Sequence, residues 1–170
     1  MKRIAIVGIG SPQGDDRAGW IAIEALDAEL SARERAAASV QTCALDRPGI
    51  ALLEHLRDAE RAVVVDALHS DTPGAIVLLQ PDELQGDATR TSTHGVGVAE
   101  ALALGATLQL LPPESIVIGI TIDACSTDTG VSAPVRRAAD ALARCLASWL
   151  RAGAEVWPPG LPGAVAPLPD

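Results

Sequence analysis

Apolar positions along the 170-residue chain follow two rhythms in alternation. Arg3 to Gly8 is a continuous apolar run that ends in Gly-Ile-Gly-Ser-Pro, which reads as a strand buried on both faces and closed by a tight turn. From Trp20 the residues Trp20, Ile23, Leu26 and Leu30 recur at three and four, with Glu24 and Asp27 off the stripe, so a helix follows. Residues 39–45 read as a second strand and 49–57 as a short helix after the turn Asp46-Arg47-Pro48-Gly49. The clearest strand covers 62–67, with the β-branched run Val63 to Val65 and apolar throughout except for Asp66 at its carboxyl end. Residues 74–80 are a further strand candidate, and 81–93 form a polar loop long enough to suspect a job. A helix is expected over 96–108, a strand over 116–122, and a last helix over 134–150, where Val135, Leu142, Leu146 and Trp149 share a face.

Strands alternating with helices predict an α/β fold, with about five strands in a largely parallel sheet and helices on both sides. One domain is expected over 1–151. Residues 152–170 carry Pro158, Pro159, Pro162, Pro167 and Pro169 and read as an extended or disordered tail.

Charge narrows the function. With 13 Lys+Arg against 22 Asp+Glu, the net charge is −9, and the basic residues are scattered, which argues against a nucleic-acid binder and disfavours an anionic membrane surface. The chain has no Phe, no Tyr and three Trp, so aliphatic residues and alanine must fill the core. Cys43, Cys125 and Cys145 show no metal-type spacing and point to a reducing compartment without a disulfide framework. No secretory signal is visible, and the run 115–122 is far too short to span a bilayer. A soluble, cytoplasmic protein is expected.

In open parallel sheets ligands sit beyond the carboxyl ends of the strands, so the polar residues there are the candidates. Gly8, Gly10 and Gly14 are spaced G-x-G-x-x-x-G, and Asp15 and Asp16 stand where a pyrophosphate would need positive potential, which argues against a nucleotide. Asp15 is assigned to capping the helix that follows, leaving Asp16 free. Asp66, in an apolar strand, is a carboxylate whose charge needs a compensating partner, unless it turns out to cap the next loop. His94 gains its meaning from this company: two carboxylates and an imidazole can bind a borderline divalent ion and leave positions open. His69 is a reserve ligand, His55 a helix-surface residue, and Cys125 a nucleophile candidate without a local base.

Three segments, GIGSPQGDDRAG, VVVDAL and STHGVGVAEAL, resemble in order and spacing those of the hydrogenase maturation proteases, over about residues 3 to 150. The resemblance implies a three-layer α/β/α sandwich around a twisted, mostly parallel sheet. It implies an aspartic-type endopeptidase that removes the C-terminal extension of a nickel–iron hydrogenase large-subunit precursor. The site it implies matches Asp16, Asp66 and His94, as catalytic residues and as metal ligands. No permanently bound cofactor is implied; the site recognises the nickel already held by the precursor. Two departures border the expected cleft. Gly10-Ser11-Pro12 stands where many relatives have Gly-Asn-Pro, and Leu45-Asp46-Arg47-Pro48-Gly49 where many have an Asp-Gly-Gly-Thr-like turn. Arg47 then either meets a carboxylate of the substrate tail or pairs with Asp46. For the chemistry, either the substrate's nickel polarises the scissile carbonyl while an acid takes the water's proton, or the two acids share one proton. A non-catalytic, nickel-dependent chaperone for the large subunit is the alternative function.

Overall fold

The computed structural model describes residues 3–81, 97–123 and 130–155. Five strands, β1 (Ile4–Gly10), β2 (Val40–Asp46), β3 (Arg61–His69), β4 (Ile76–Leu79) and β5 (Glu114–Ile122), form one sheet in the order β2-β1-β3-β5-β4. Among the described residues five α-helices accompany them: α1 (Ala18–Glu29), α2 (Ala32–Ala38), α3 (Leu52–Leu56), α4 (Val98–Thr107) and α5 (Ala133–Arg151). Every residue of β1 is buried, as its unbroken apolar run requires of an inner strand.

Alternation along the strands sorts the core into two layers. Ile4, Ile6, Val63 and Val65 pack with α1 and α5 on one face, whereas Ala5, Val7, Ala62 and Val64 pack with α3 and α4 on the other. This is the three-layer sandwich that was expected. With no Phe or Tyr to hold the layers apart, α1 lies close upon the sheet. A Cβ added at Gly19 would collide with the Ile9 backbone and the Val65 carbonyl, and one at Gly8 would collide with the Gly19 carbonyl. Glycine is needed at both places to let the backbones meet.

Two features go beyond what was expected of a mostly parallel sheet. β4 runs antiparallel to β5, with Ile76 opposite Ile120 and Leu79 opposite Val117, because only six residues join β3 to β4. A parallel arrangement would require the chain to travel back along the sheet, which takes about a dozen residues. α2 was not foreseen, since it buries no residue and so shows no apolar stripe. Its stability comes from a capping box in which Ser31 Oγ accepts from Glu34 N–H and Glu34 Oε2 accepts from Ser31 N–H at 2.8 Å. Arg151 Nε, on the last turn of α5, donates to Glu34 Oε1 at 2.7 Å. The Pro-rich tail, most of the polar loop 81–93, His94 and Cys125 lie outside the described residues.

Candidate active site

β1 is followed by its neighbour on one side, β2, while β3 is followed in the sheet by β5 on the other. The direction of winding therefore reverses between β1 and β3, and a crevice opens beyond their carboxyl ends. The ladder registers show how. β1 pairs with β3 only as far as Gly8 opposite Val65, but β3 continues beside β5 to His69 opposite Ile122. Asp66 is the first residue of β3 past the reach of β1. It does not end its strand, as the sequence suggested; it ends the pairing on one side, and the gap becomes the cleft. Ser11, Asp16, Arg47, Gly49, Asp66 and Gly97 are among the residues lining it.

Asp66 is buried, 7% exposed. Its Oδ1 accepts from the N–H of Ala67 at 2.9 Å. Burial pushes its carboxyl up from 3.8 to about 7; the Ala67 N–H pulls the other way, and the negative charge of Asp16 adds a smaller upward push. The expected compensated charge is thus a carboxyl group that titrates near neutrality.

Asp16 arrives on a single 3₁₀ turn, Gly14–Arg17, which Gly14 enters at a φ of 47°. The Ser11 hydroxyl donates to Asp16 Oδ2 at 3.1 Å, and the Ser11 N–H donates to the Asp16 carbonyl at 3.3 Å. Ser11 therefore holds Asp16 from both ends. The two acids do not hydrogen-bond to each other; one leans on Ser11, the other on its own chain.

Asp15 departs from the expected role. The 3₁₀ turn and α1 have no side-chain cap, and Asp15 Oδ1 instead accepts from the N–H of Ser132 at 2.6 Å. Ser132 is the N-cap residue of α5, so Asp15, 4% exposed, does serve a helix N-terminus, but a different helix, whose dipole favours a negative charge there. Nothing in the sequence marks a bond between positions 117 residues apart.

The loop after β2 supplies the cation among the described residues that line the cleft. Arg47 sits at a φ of 42°, its N–H donates to the Gly10 carbonyl at 3.2 Å, and its guanidinium pairs with Asp46, Nε to Oδ1 at 2.6 Å and Nη2 to Oδ2 at 3.2 Å. Of the two roles expected for Arg47, the structure contains the pair. Trp20 Nε1 donates to the Leu45 carbonyl at 2.8 Å, tying this loop to α1.

The other candidates separate. His94 lies outside the described residues; Gly97, three positions later in the chain, lines the cleft. His69 ends β3 an odd number of residues from Asp66 and so faces the other side of the sheet. His55 is exposed on α3 with Nδ1 3.8 Å from Cys43 Sγ. Among the described residues no three His, Cys, Asp or Glu side chains are grouped to hold a metal ion, and the cleft offers the oxygen donors of Asp16 and Asp66. No described helix is long and apolar enough to cross a membrane.

Known structures share this architecture. The chain is similar to a [NiFe] hydrogenase maturation protease HycI from Thermococcus kodakarensis KOD1, at 22% identity and a TM-score of 0.66, over 88% of this chain and 93% of that one. It is similar to the hydrogenase maturating endopeptidase HybD from E. coli, at 20% identity and a TM-score of 0.70, over the same shares of the two chains. These likenesses establish the fold. Comparison with curated protein sequences gives no match. A family model described as HycI, hydrogenase maturation protease, matches residues 28–149. That span holds Asp66 and most of the sheet, and on it the chain belongs to the hydrogenase maturation protease family.

Proposed function

We propose that this chain is a cytoplasmic endopeptidase that removes the C-terminal extension of a nickel-loaded nickel–iron hydrogenase large-subunit precursor, with Asp16, Asp66 and His94 as its working centre. The observation that carries the reading is the meeting of Asp16 and Asp66 in one cleft at the reversal point of the sheet in a member of this protease family.

The two carboxyl groups suit the recognition of a metal ion held by the substrate. Hard oxygen donors close together repel each other until a cation enters between them, and the upward push of Asp16 on Asp66 expresses that repulsion. A nickel centre delivered by the precursor relieves it; an empty precursor does not, so cleavage follows metal insertion. His94 supplies the imidazole donor that the two oxygens lack. Polarised by the substrate's nickel, the scissile carbonyl becomes open to water, and whichever carboxylate is free of the metal accepts the water's proton. The alternative of two acids sharing one proton is less well served, because each carboxyl group is engaged elsewhere and not with the other. The protein carries no permanent cofactor in this scheme.

Mass spectrometry of the cognate precursor, nickel-loaded or empty, after incubation with the protein tests the reading. Loss of a defined C-terminal peptide from the loaded form alone is the expected result. A complex that forms with no change in mass would make the protein a nickel-dependent chaperone, and cleavage of the empty form would remove the metal checkpoint.

A further inference from the structure

The cleft holds two acids and one described cation, and that cation stands in a costly place. Arg47 adopts the left-handed backbone region at a φ of 42°, where a side chain with a Cβ is disfavoured and glycine is at ease. The neighbouring Gly49, at a φ of 53°, shows what the loop elsewhere uses for the same turn. Strain of this kind persists where the surroundings fix it, and here they do: the Arg47 N–H is bound to the Gly10 carbonyl, and the Leu45 carbonyl to Trp20. The result aims a guanidinium at the rim of the cleft, close enough to Asp16 to feel its charge.

The pair with Asp46 does not use that guanidinium up. Both side chains are nearly half exposed, 46% and 48%, and an exposed pair of adjacent residues contributes little to stability. It engages Nε and Nη2, leaving Nη1 without a partner among the described residues. A planar fork whose end edge, Nη1 and the second Nη2 hydrogen, is unused fits a carboxylate end-on. Among the described residues lining the cleft the other charged side chains are acids, so without it a peptide carboxylate would meet like charge.

We infer that Arg47 is a substrate-binding residue, whose guanidinium takes one carboxylate of the peptide segment lying over the cleft and so selects precursors that carry an acidic group at that position. This rests on the peptidase reading for the identity of the partner, but its test reads affinity and not cleavage.

The dissociation constant of the full-length precursor is measured for the wild-type protein, Arg47→Ala, Arg47→Lys and Arg47→Gly. Each acidic side chain of the precursor's C-terminal region, and its terminal carboxylate, is neutralised in turn. Arg47→Ala is expected to weaken binding about tenfold, as for the loss of one charge-assisted bond. Arg47→Lys should recover part of the loss. One neutralised precursor should bind the wild-type protein as weakly as Arg47→Ala binds the natural one, with no further loss when the two changes are combined. Arg47→Gly separates charge from loop shape, since it should bind as weakly as Arg47→Ala while melting at a higher temperature, its strain relieved. Unchanged affinity in Arg47→Ala, strict additivity with every neutralised precursor, or no binding of the precursor by the wild-type protein would overturn the inference. Binding with this coupling but no shortening of the precursor would leave Arg47 in its role and remove the peptidase reading.

Discussion

Asp15 and Ser132, 117 residues apart, are joined by one short hydrogen bond between the buried carboxylate and the N–H of the residue that caps the start of α5. Because Asp16 is the next residue on the same turn, this bond fixes the position of the cleft acid from outside the cleft. Asp15→Ala leaves the Ser132 N–H without its acceptor and should cost about 2 kcal/mol, the range for a hydrogen bond to a charged group. Asp15→Asn keeps an acceptor and should cost less. Urea denaturation of the two variants checks the order, and equal midpoints for wild type and Asp15→Ala would show that the bond does not brace the fold.

Stability should fall as pH rises toward neutrality. The carboxyl of Asp66 is raised in the folded protein, from 3.8 to about 7, so the folded state holds a proton that the unfolded chain has released. Its contribution is complete below pH 4 and is lost as pH climbs through 7, by up to about 4 kcal/mol. Asp66→Asn, uncharged at every pH, should remove that slope and melt at a higher temperature than wild type at pH 8, while failing to process the precursor. A variant that is more stable yet inactive separates a working residue from a structural one. Full processing by Asp66→Asn would refute the role given to this carboxyl group.

Gly19→Ala should be far more damaging than its size suggests. The added methyl group meets backbone atoms of β1 and β3, which cannot rotate away as a side chain can, so α1 must lift from the sheet at a cost of about 3 kcal/mol. Circular dichroism during thermal unfolding reads the effect. Gly130→Ala is the control, because no described residue lies within 4 Å of its added carbon.

Acid should loosen α2 before the rest of the fold. Ser31 and then Arg151 hold the Glu34 carboxyl down at about 2, from 4.5, so its contribution is present above pH 4.5 and is lost as pH falls toward 2. Hydrogen exchange of the Ala32–Ala38 amides near pH 3 should exceed that of α1. Equal protection would mean that the capping box and the Arg151 bridge do not hold this helix.

The sequence carried most of the sheet because burial writes itself as period and length. β1, β3 and β5 are runs of aliphatic residues, and α5 repeats its apolar face over nineteen residues. α2 escaped because its seven residues bury none; the Ser31-x-x-Glu34 capping box was the sign that would have revealed it. The reversed direction of β4 was equally available, as arithmetic on a six-residue link. For the cleft, Asp16 and Asp66 were legible as polar residues at strand ends, whereas the roles of Ser11 and Asp15 depend on contacts that only the folded chain makes. The side chain of Ser132 leaves no trace in the matter at all, since it is the backbone N–H that Asp15 binds.

The absence of tyrosine has an optical consequence. Ultraviolet emission from this chain comes from Trp20, Trp149 and Trp157 alone. Trp149 is shut in the core, while the indole of Trp20 is half-exposed, bonded to the carbonyl two residues ahead of Arg47 and set against Gly10 of the cleft wall. Whatever peptide settles over Arg47 must disturb the surroundings of that one ring. Its emission is therefore a built-in contribution that reports occupancy, free of tyrosine background, and Trp20→Phe would silence that contribution while Trp149, in the core, and Trp157 go on emitting.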